Sequence, residues 1–223
     1  TKEDVRKPSR PMNNNVSGSE LPRGRHKLSP GHVAENQRWR IFQALAAVVA
    51  SKGFNATSVQ DVIKEAGVSR ATFYQHFANK TDCLLKAHDR ITLILIEAVK
   101  APTGATDPLE IVEEILARYL GLVRSEPDLA HLSLIAIFSA GKEAEKRRIE
   151  TDREWAEVLA QLASDVVQPN AHRLRQPIDI QAQAAVAVIS HFLIHDLVDP
   201  PKMDLTDQHL SLARIVHSLL FES

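Results

Sequence analysis

The stretch that decides the fold is residues 57–77, which read TSVQDVIKEAGVSRATFYQHF. Ser58 stands three residues before Asp61, the spacing of a capping box, so a helix is predicted to begin directly after Ser58. Gly67 permits the left-handed backbone of a tight turn, and Ser69 is placed to cap a second short helix. Two short helices that meet at a glycine turn of this length form a helix-turn-helix.

The second helix of this pair has two different faces. Phe73 and Phe77 lie four residues apart and are predicted to hold one face against the core. The opposite face offers side chains that can bond base edges or phosphates, and it has no acidic group to repel DNA. Its members are Arg70, Ala71, Thr72, Gln75 and His76. The pattern predicts a helix that enters the major groove.

Around this motif the chain is predicted to be helical almost throughout, so we expect an all-α fold. Apolar residues recur at helical spacing from Pro30 onward, and no segment alternates with period two. Proline, glycine and capping residues separate further helices at about 30–52, 80–100, 108–125, 127–140, 142–167, 179–198 and 205–221. The segment 142–167 carries a dense run of charges, for which we expect a solvated outer face with Ile149 and Trp155 turned inward.

The charge of the chain is divided unevenly between its two ends. Formal charges total +7 over residues 1–90 and −8 over residues 91–223, for a net charge of −1. A cationic front indicates a polyanionic partner for that part of the chain.

Residues 1–29 show no apolar periodicity and are predicted to form a flexible basic arm. Within the arm, Arg23-Gly24-Arg25 after Pro22 is similar to the core of an AT-hook, which predicts that Arg23 and Arg25 enter a minor groove beside each half-site. The alternatives are a tail with only diffuse attraction to DNA, or one folded back on the body.

The composition argues against several other classes of protein. A single Cys83 excludes a disulfide framework and fits a reducing compartment, so we expect a cytoplasmic protein. The richest apolar stretch, Ala184–Val198, is interrupted by polar residues, and we expect no membrane span. With 8 glycines, no phosphate-binding loop and no legible nucleophile–base pair, an enzyme is not expected.

A metal site is the remaining alternative from residue spacing. His191 and His195 are four residues apart with Asp196 adjacent, a spacing that suits one helix face. No third ligand follows at motif spacing, so we expect neither a metal nor a cofactor.

A set of short motifs between Ile41 and Leu85 carries a family resemblance. They are Ala44-Leu45, Gly53-Phe54, Thr57-Ser58-Val59, Ala66-Gly67-Val68-Ser69, Thr72-Phe73-Tyr74-Gln75-His76-Phe77 and Lys80. In combination they resemble the DNA-binding domain of the tetracycline-repressor (TetR) family of bacterial regulators. The rest of the chain is similar to that family only in length and in the order of its helices.

The resemblance implies a domain plan and DNA contacts. Residues 30–82 would be the three-helix DNA-binding domain, with the helix-turn-helix at about 58–77, and 83–223 a larger helical ligand-binding and dimerisation domain. Base contacts are implied for Arg70, Thr72 and Gln75, and phosphate contacts for Ser58, Tyr74, His76 and Lys80. The alternatives are that Ser58 is only a cap, Tyr74 only a support and Lys80 only a solvated charge.

The resemblance also implies a homodimer. In the family the last two large helices form a four-helix bundle across a two-fold axis, here about 179–198 and 205–221, and a palindromic operator follows. Helix 179–198 is apolar on nearly every side, which independently favours a partner. The alternative is a central core helix in a monomer.

A small-molecule effector is the last implied partner, in a pocket among the middle helices. The candidate wall residues are Tyr119, Leu122, His131, Leu134, Phe138, Trp155, Leu159, His191 and Phe192. We expect an apolar or weakly polar effector because no run of Arg or Lys points at that face. The expected function is a ligand-responsive repressor; the alternatives are an activator, or a helical scaffold protein whose helix-turn-helix no longer reads DNA.

Overall fold

The computed structural model describes residues 30–167, 173–199 and 205–222. These ranges hold nine α-helices, one short 3₁₀ helix at Ala136–Ser139 and no β-strand, which confirms the all-α prediction. The helices are α1 (Pro30–Lys52), α2 (Val59–Ala66), α3 (Arg70–His76), α4 (Lys80–Lys100), α5 (Pro108–Ser125), α6 (Pro127–Leu134), α7 (Lys142–Val167), α8 (Ile178–Val198) and α9 (Leu205–Leu220). The arm residues Arg23 and Arg25 lie outside the described ranges.

Two clusters of buried apolar side chains hold the helices together. The first joins α1, α2, α3 and the start of α4, and it continues into α6 and the 3₁₀ helix. The second joins α5, α7, α8 and α9. Helix α4 contributes Leu84 and Ala87 to the first cluster, and its Leu95 packs against the second, so α4 links the two parts.

Two local expectations differ from the structure. The helix expected at 127–140 ends at Leu134, where Ile135 departs from α-helical geometry (φ −118°), and the following 3₁₀ turn buries Ala136 and Ile137. In α7, Ile149 is 51% exposed instead of inward-facing, while Arg148 and Thr151 are buried. The inner face of α7 is therefore more polar than its sequence suggests.

Helix α8 also departs from expectation. By length and composition it is apolar enough to cross a membrane, because the apolar stretch extends back to Ile178. It packs against α6, α7 and α9 with Ala185, Ile189 and Leu193 buried, and 28% of its apolar window is buried within the chain.

Candidate nucleic-acid interface and ligand cavity

A complete capping box fixes the start of α2. The Ser58 hydroxyl accepts a hydrogen bond from the Asp61 amide (3.2 Å), and Asp61 Oδ2 accepts one from the Ser58 amide (2.8 Å). The Lys52 ammonium, 2.7 Å from Asp61 Oδ2, together with Ser58, holds the pKa of Asp61 well below its usual range. Ser58 is therefore a cap, and its exposed position still allows a phosphate to approach the helix N-terminus.

The turn between α2 and α3 is closed by backbone geometry. Gly67 adopts φ +61°, and its amide donates to carbonyls of the last turn of α2. Arg40 of α1 donates to the Ala66 carbonyl at 2.6 Å, which ties this turn to the first helix. A side chain at position 67 would be strained by the positive φ.

Helix α3 is anchored on one side and open on the other. Phe73 and Phe77 are almost fully buried, and the Phe77 ring lies 5.5 Å from that of Phe42 on α1. On the open side Arg70 and Gln75 are exposed, and the Arg70 guanidinium lies 5.5 Å from the centre of the Tyr74 ring. The exposed face carries hydrogen-bond donors and no carboxylate.

Thr72 and His76 are less open than the sequence suggests. Thr72 is half-buried, and its hydroxyl lies 2.8 Å from that of Ser69. His76 Nε2 lies 3.3 Å from Gln37 Oε1 of α1. Burial, followed by the charges of Arg38 and Lys86, lowers the pKa of His76, so its ring is neutral at neutral pH.

Two cations beside α3 were missed by sequence reasoning. Arg38 is exposed on α1 and lies close enough to His76 to act on its pKa, and Lys86 of α4 donates to the His76 carbonyl at 3.2 Å. Both come from other helices, so no local spacing in the sequence links them to α3.

Lys80 is engaged within the protein. Its ammonium donates to the carbonyls of Phe54 and Thr57, both at 2.8 Å, and lies 4.5 Å from the centre of the Phe54 ring. A third, longer bond to Asn55 occupies its remaining hydrogen. Contrary to the expected phosphate contact, Lys80 ties the start of α4 to the loop before α2.

A cavity of about 170 Å³ lies among the helices that follow α3 in the chain. Its wall is mostly apolar and comes from six helices, α1 and α4 to α8. Tyr119 of α5 and Trp155 of α7 line it, with their ring centres 5.4 Å apart. Trp39 of α1 and Thr92 of α4 also line it. The two helices that precede and follow α2 and α3 in the chain therefore both reach the cavity.

A hydrogen-bonded histidine lies in the cavity wall. His88 Nδ1 is 2.6 Å from the Ser133 hydroxyl and Nε2 is 2.8 Å from the Thr151 hydroxyl. Thr151 donates to the Arg147 carbonyl, so it accepts from His88 Nε2–H, and Nδ1 accepts from Ser133. Burial, with help from Arg148 and Arg147, lowers the pKa of His88 to about 4, in agreement with this neutral form.

The cavity wall also contains a buried cation, Arg148, which was not among the residues expected there. It is 4% exposed, lines the cavity and pairs with Asp152 through Nη1 and with Ser190 through Nη2. Its Nε has no hydrogen-bond partner among the described residues. From the sequence we expected no run of Arg or Lys at this face; the structure places a single basic side chain there, because one position in the charged run of α7 turns inward.

Four of the expected wall residues do not line this cavity. Phe138 is 49% exposed on the 3₁₀ helix, and His191 is exposed on α8. His131 is half-buried, and Phe192 packs against the second core cluster. Of the nine residues expected at the cavity, the structure brings five to its wall: Tyr119, Leu122, Leu134, Trp155 and Leu159.

The structure also places the histidine pair of α8 and the single cysteine. Within the part of the chain that the structure describes, no group of three or more His, Cys, Asp or Glu side chains is placed to hold a metal ion. Asp196 instead pairs with Arg124 at 3.0 Å. Cys83 is fully buried, and burial raises the pKa of its thiol.

This arrangement defines a class: an all-helical protein with an exposed helix-turn-helix and a mostly apolar cavity among the remaining helices. Residues 41–87 match the family model of the bacterial regulatory proteins of the tetR family. Residues 41–87 therefore carry the DNA-binding domain that this family model describes, and the fold over most of the chain is similar to that of solved regulators such as FadR.

Individual relatives are similar over different lengths. The uncharacterized HTH-type transcriptional regulator YerO of Bacillus subtilis is 42% identical over 48 residues, which cover 22% of this chain and only 17% of that protein. The fatty acid metabolism regulator protein of Bacillus subtilis is 21% identical over 170 residues, 74% of this chain and 86% of the relative. The solved structure of FadR from Bacillus subtilis in complex with stearoyl-CoA has a TM-score of 0.67 at 18% identity and covers 80% of this chain and 96% of FadR.

Proposed function

We propose that the protein is a repressor of transcription that binds a palindromic operator as a homodimer and leaves it when a small molecule fills the cavity. The observation that carries this proposal is the two-sided burial of α3. Phe73 and Phe77 fix one face to the core, while Arg70, Tyr74 and Gln75 stay open on the other. Such a helix suits the major groove.

The proposed DNA contacts keep positions that the resemblance implies, on side chains that are exposed or half-buried. Arg70, Thr72 and Gln75 contact base edges; Ser58, Tyr74 and His76 contact phosphates, which set the register but carry no sequence information. We add Arg38, an exposed cation beside His76, to the phosphate set and leave Lys80 out of it. Arg23 and Arg25 of the arm remain a predicted minor-groove contact.

The homodimer is proposed from the outer face of α8 and α9. Only 28% of the apolar window of α8 is buried within one chain. Ile180 and Val198, near its two ends, are 62% and 69% exposed, and Ile215 of α9 is 48% exposed. Ala187 lies on the same open face of α8. A second copy packed by two-fold symmetry would cover this face and set the spacing of the two α3 helices.

The route from cavity to DNA is proposed through α1 and α4. Trp39 of α1 and His88 of α4 line the cavity, and α4 begins at Lys80, which holds the loop before α2. A ligand that binds better to one spacing of these helices shifts the population toward that spacing and away from the operator-bound form. The stearoyl-CoA complex of the similar FadR supports a small-molecule effector in this fold.

Binding to the DNA upstream of its own gene tests the proposal. At a fixed salt concentration we expect at least about 10³-fold tighter binding to that DNA than to a scrambled duplex of equal composition. In-vitro transcription from the same DNA distinguishes repression from activation. Equal affinity for the scrambled duplex would favour the scaffold alternative. A bacterial regulator of this kind acts in the cytoplasm, where its DNA lies.

A further inference from the structure

One donor in the cavity wall is left without a partner. Arg148 and Glu126 are the charged residues of the wall among the described residues, with His88 neutral. Arg148 uses Nη1 on Asp152 and Nη2 on the Ser190 hydroxyl at 3.3 Å, while Nε–H has no partner in the described part of the chain. A buried donor without a partner is costly, so an occupant that offers an acceptor gains from it.

The buried histidine of the wall is satisfied by its neighbours. His88 bonds Ser133 and Thr151 on its two nitrogens, and Thr151 donates to a backbone carbonyl. The rest of the wall is dominated by Ile, Leu, Val and aromatic side chains. An occupant therefore meets a mostly apolar space, in whose wall Arg148 Nε is the buried donor left without a partner among the described residues.

The charges around this donor disfavour an anion. The positive charge of Arg148 is balanced by Asp152, and that of the neighbouring Arg147 by Asp89 and Glu154. Glu126 adds a carboxyl group to the wall. A carboxylate would lose its hydration without meeting an uncompensated cation, whereas a neutral acceptor loses much less.

We infer that the cavity takes an uncharged, largely apolar compound whose carbonyl oxygen accepts a hydrogen bond from Arg148 Nε. This inference rests on the proposed function, which makes the cavity the effector site. The volume of about 170 Å³ sets the size class. An engineered apolar cavity of ~150 Å³ holds benzene, so a ring with a short substituent fits.

Three probes of nearly equal shape test the inference: acetophenone, cumene and benzoate. They are titrated by NMR into the full chain without DNA, and into two Arg→Lys variants. Arg148→Lys keeps a cation for Asp152 but replaces Nε–H with a methylene. Arg124→Lys is the matched control, because Arg124 pairs with Asp196 and does not line the cavity.

We expect Arg148→Lys to weaken acetophenone binding about tenfold and to change cumene binding less than about twofold. Arg124→Lys should change neither, and benzoate should bind the native chain more weakly than acetophenone. An equal effect of Arg148→Lys on acetophenone and cumene, or benzoate as the tightest probe, would overturn the inference. Cumene is more apolar than acetophenone, so the affinities of these two probes are not compared with each other. Each affinity is compared between the native chain and the variants.

A second measurement covers the case in which Arg148→Lys does not fold. In ¹⁵N-arginine-labelled native protein, acetophenone should shift one slowly exchanging arginine Nε–H signal that cumene leaves in place, and the absence of such a shift would contradict the contact. None of these titrations contains DNA. If the probes bind with this selectivity but do not release the operator, the Arg148 contact is supported and the proposed response to ligand is contradicted. If probes release the operator but bind equally well to Arg148→Lys, the response is supported and the Arg148 contact is contradicted.

Discussion

Replacing Arg70 with alanine is the most informative single change in the proposed DNA-reading surface. Arg70 is exposed at the start of α3, and its contact with Tyr74 is an exposed cation–π pair worth ~0.5–1 kcal/mol, so the fold should tolerate the change. A bidentate arginine–guanine contact contributes ~1–3 kcal/mol of discrimination. A dimer makes it twice, so Arg70→Ala should cost ~2–6 kcal/mol, or about 30-fold to 10⁴-fold in affinity for the operator.

Fluorescence anisotropy at one fixed salt concentration measures this loss on the operator and on a scrambled duplex. The loss should be confined to the operator, because a base contact exists only there. Lys100→Ala is the control: it removes a cation at the far end of α4, ~30 Å from Lys80, and should leave both affinities unchanged. Equal losses of Arg70→Ala on both duplexes would refute base reading by this side chain and leave only a general charge effect.

Three further predictions concern the dimer, the clamp and the buried histidine. Ala187→Arg places a charge on the open face of α8 and should convert the dimer to a monomer in sedimentation velocity. Glu157→Arg, at an exposed position of α7, is the control and should leave the dimer intact. A stable dimer in Ala187→Arg would contradict the proposed interface. Lys80→Met leaves carbonyls of the loop before α2 without a donor, so the free energy of unfolding measured in urea should fall by ~1–3 kcal/mol. Unchanged stability together with a smaller salt dependence of DNA binding would show that Lys80 contacts a phosphate instead. Burial lowers the pKa of His88 from 6.5 to about 4, so between these values the unfolded chain binds a proton that the folded chain does not. Stability should therefore fall by ~3 kcal/mol as the pH drops from above 6.5 to about 4, a dependence that His88→Gln should largely remove; an unchanged pH dependence in that variant would show that His88 is not its source.

The parts of the molecule that the sequence predicted are those set by local chemistry. The Ser58 and Asp61 capping box, the Gly67 turn and the cap at Ser69 depend on residues within three or four positions of one another. The same holds for the bounds of α4, α5 and α7, which begin or end at capping, proline or glycine residues. Local signals of this kind are legible in a single sequence.

The parts that the sequence could not predict depend on contacts between distant segments. Lys80 looks like a free charge until the fold brings the Phe54 and Thr57 carbonyls, 26 and 23 positions away, within 2.8 Å. Arg148 lies in a charged run for which the sequence predicted a solvated outer face, and only the packing of α7 against α8 and α4 decides that this one guanidinium is buried. The same packing decides that Trp39 and not Phe138 reaches the cavity.

Hydroxyl-radical footprinting of the full chain on the DNA upstream of its gene tests the central claim most directly. Two α3 helices in a symmetric dimer should protect two inverted half-sites centred one helical turn or a whole multiple of it apart, and Arg70→Ala should abolish both together. Protection of a single unrepeated segment, or an even cleavage pattern at concentrations where the chain is bound, would contradict paired reading of the duplex by this surface.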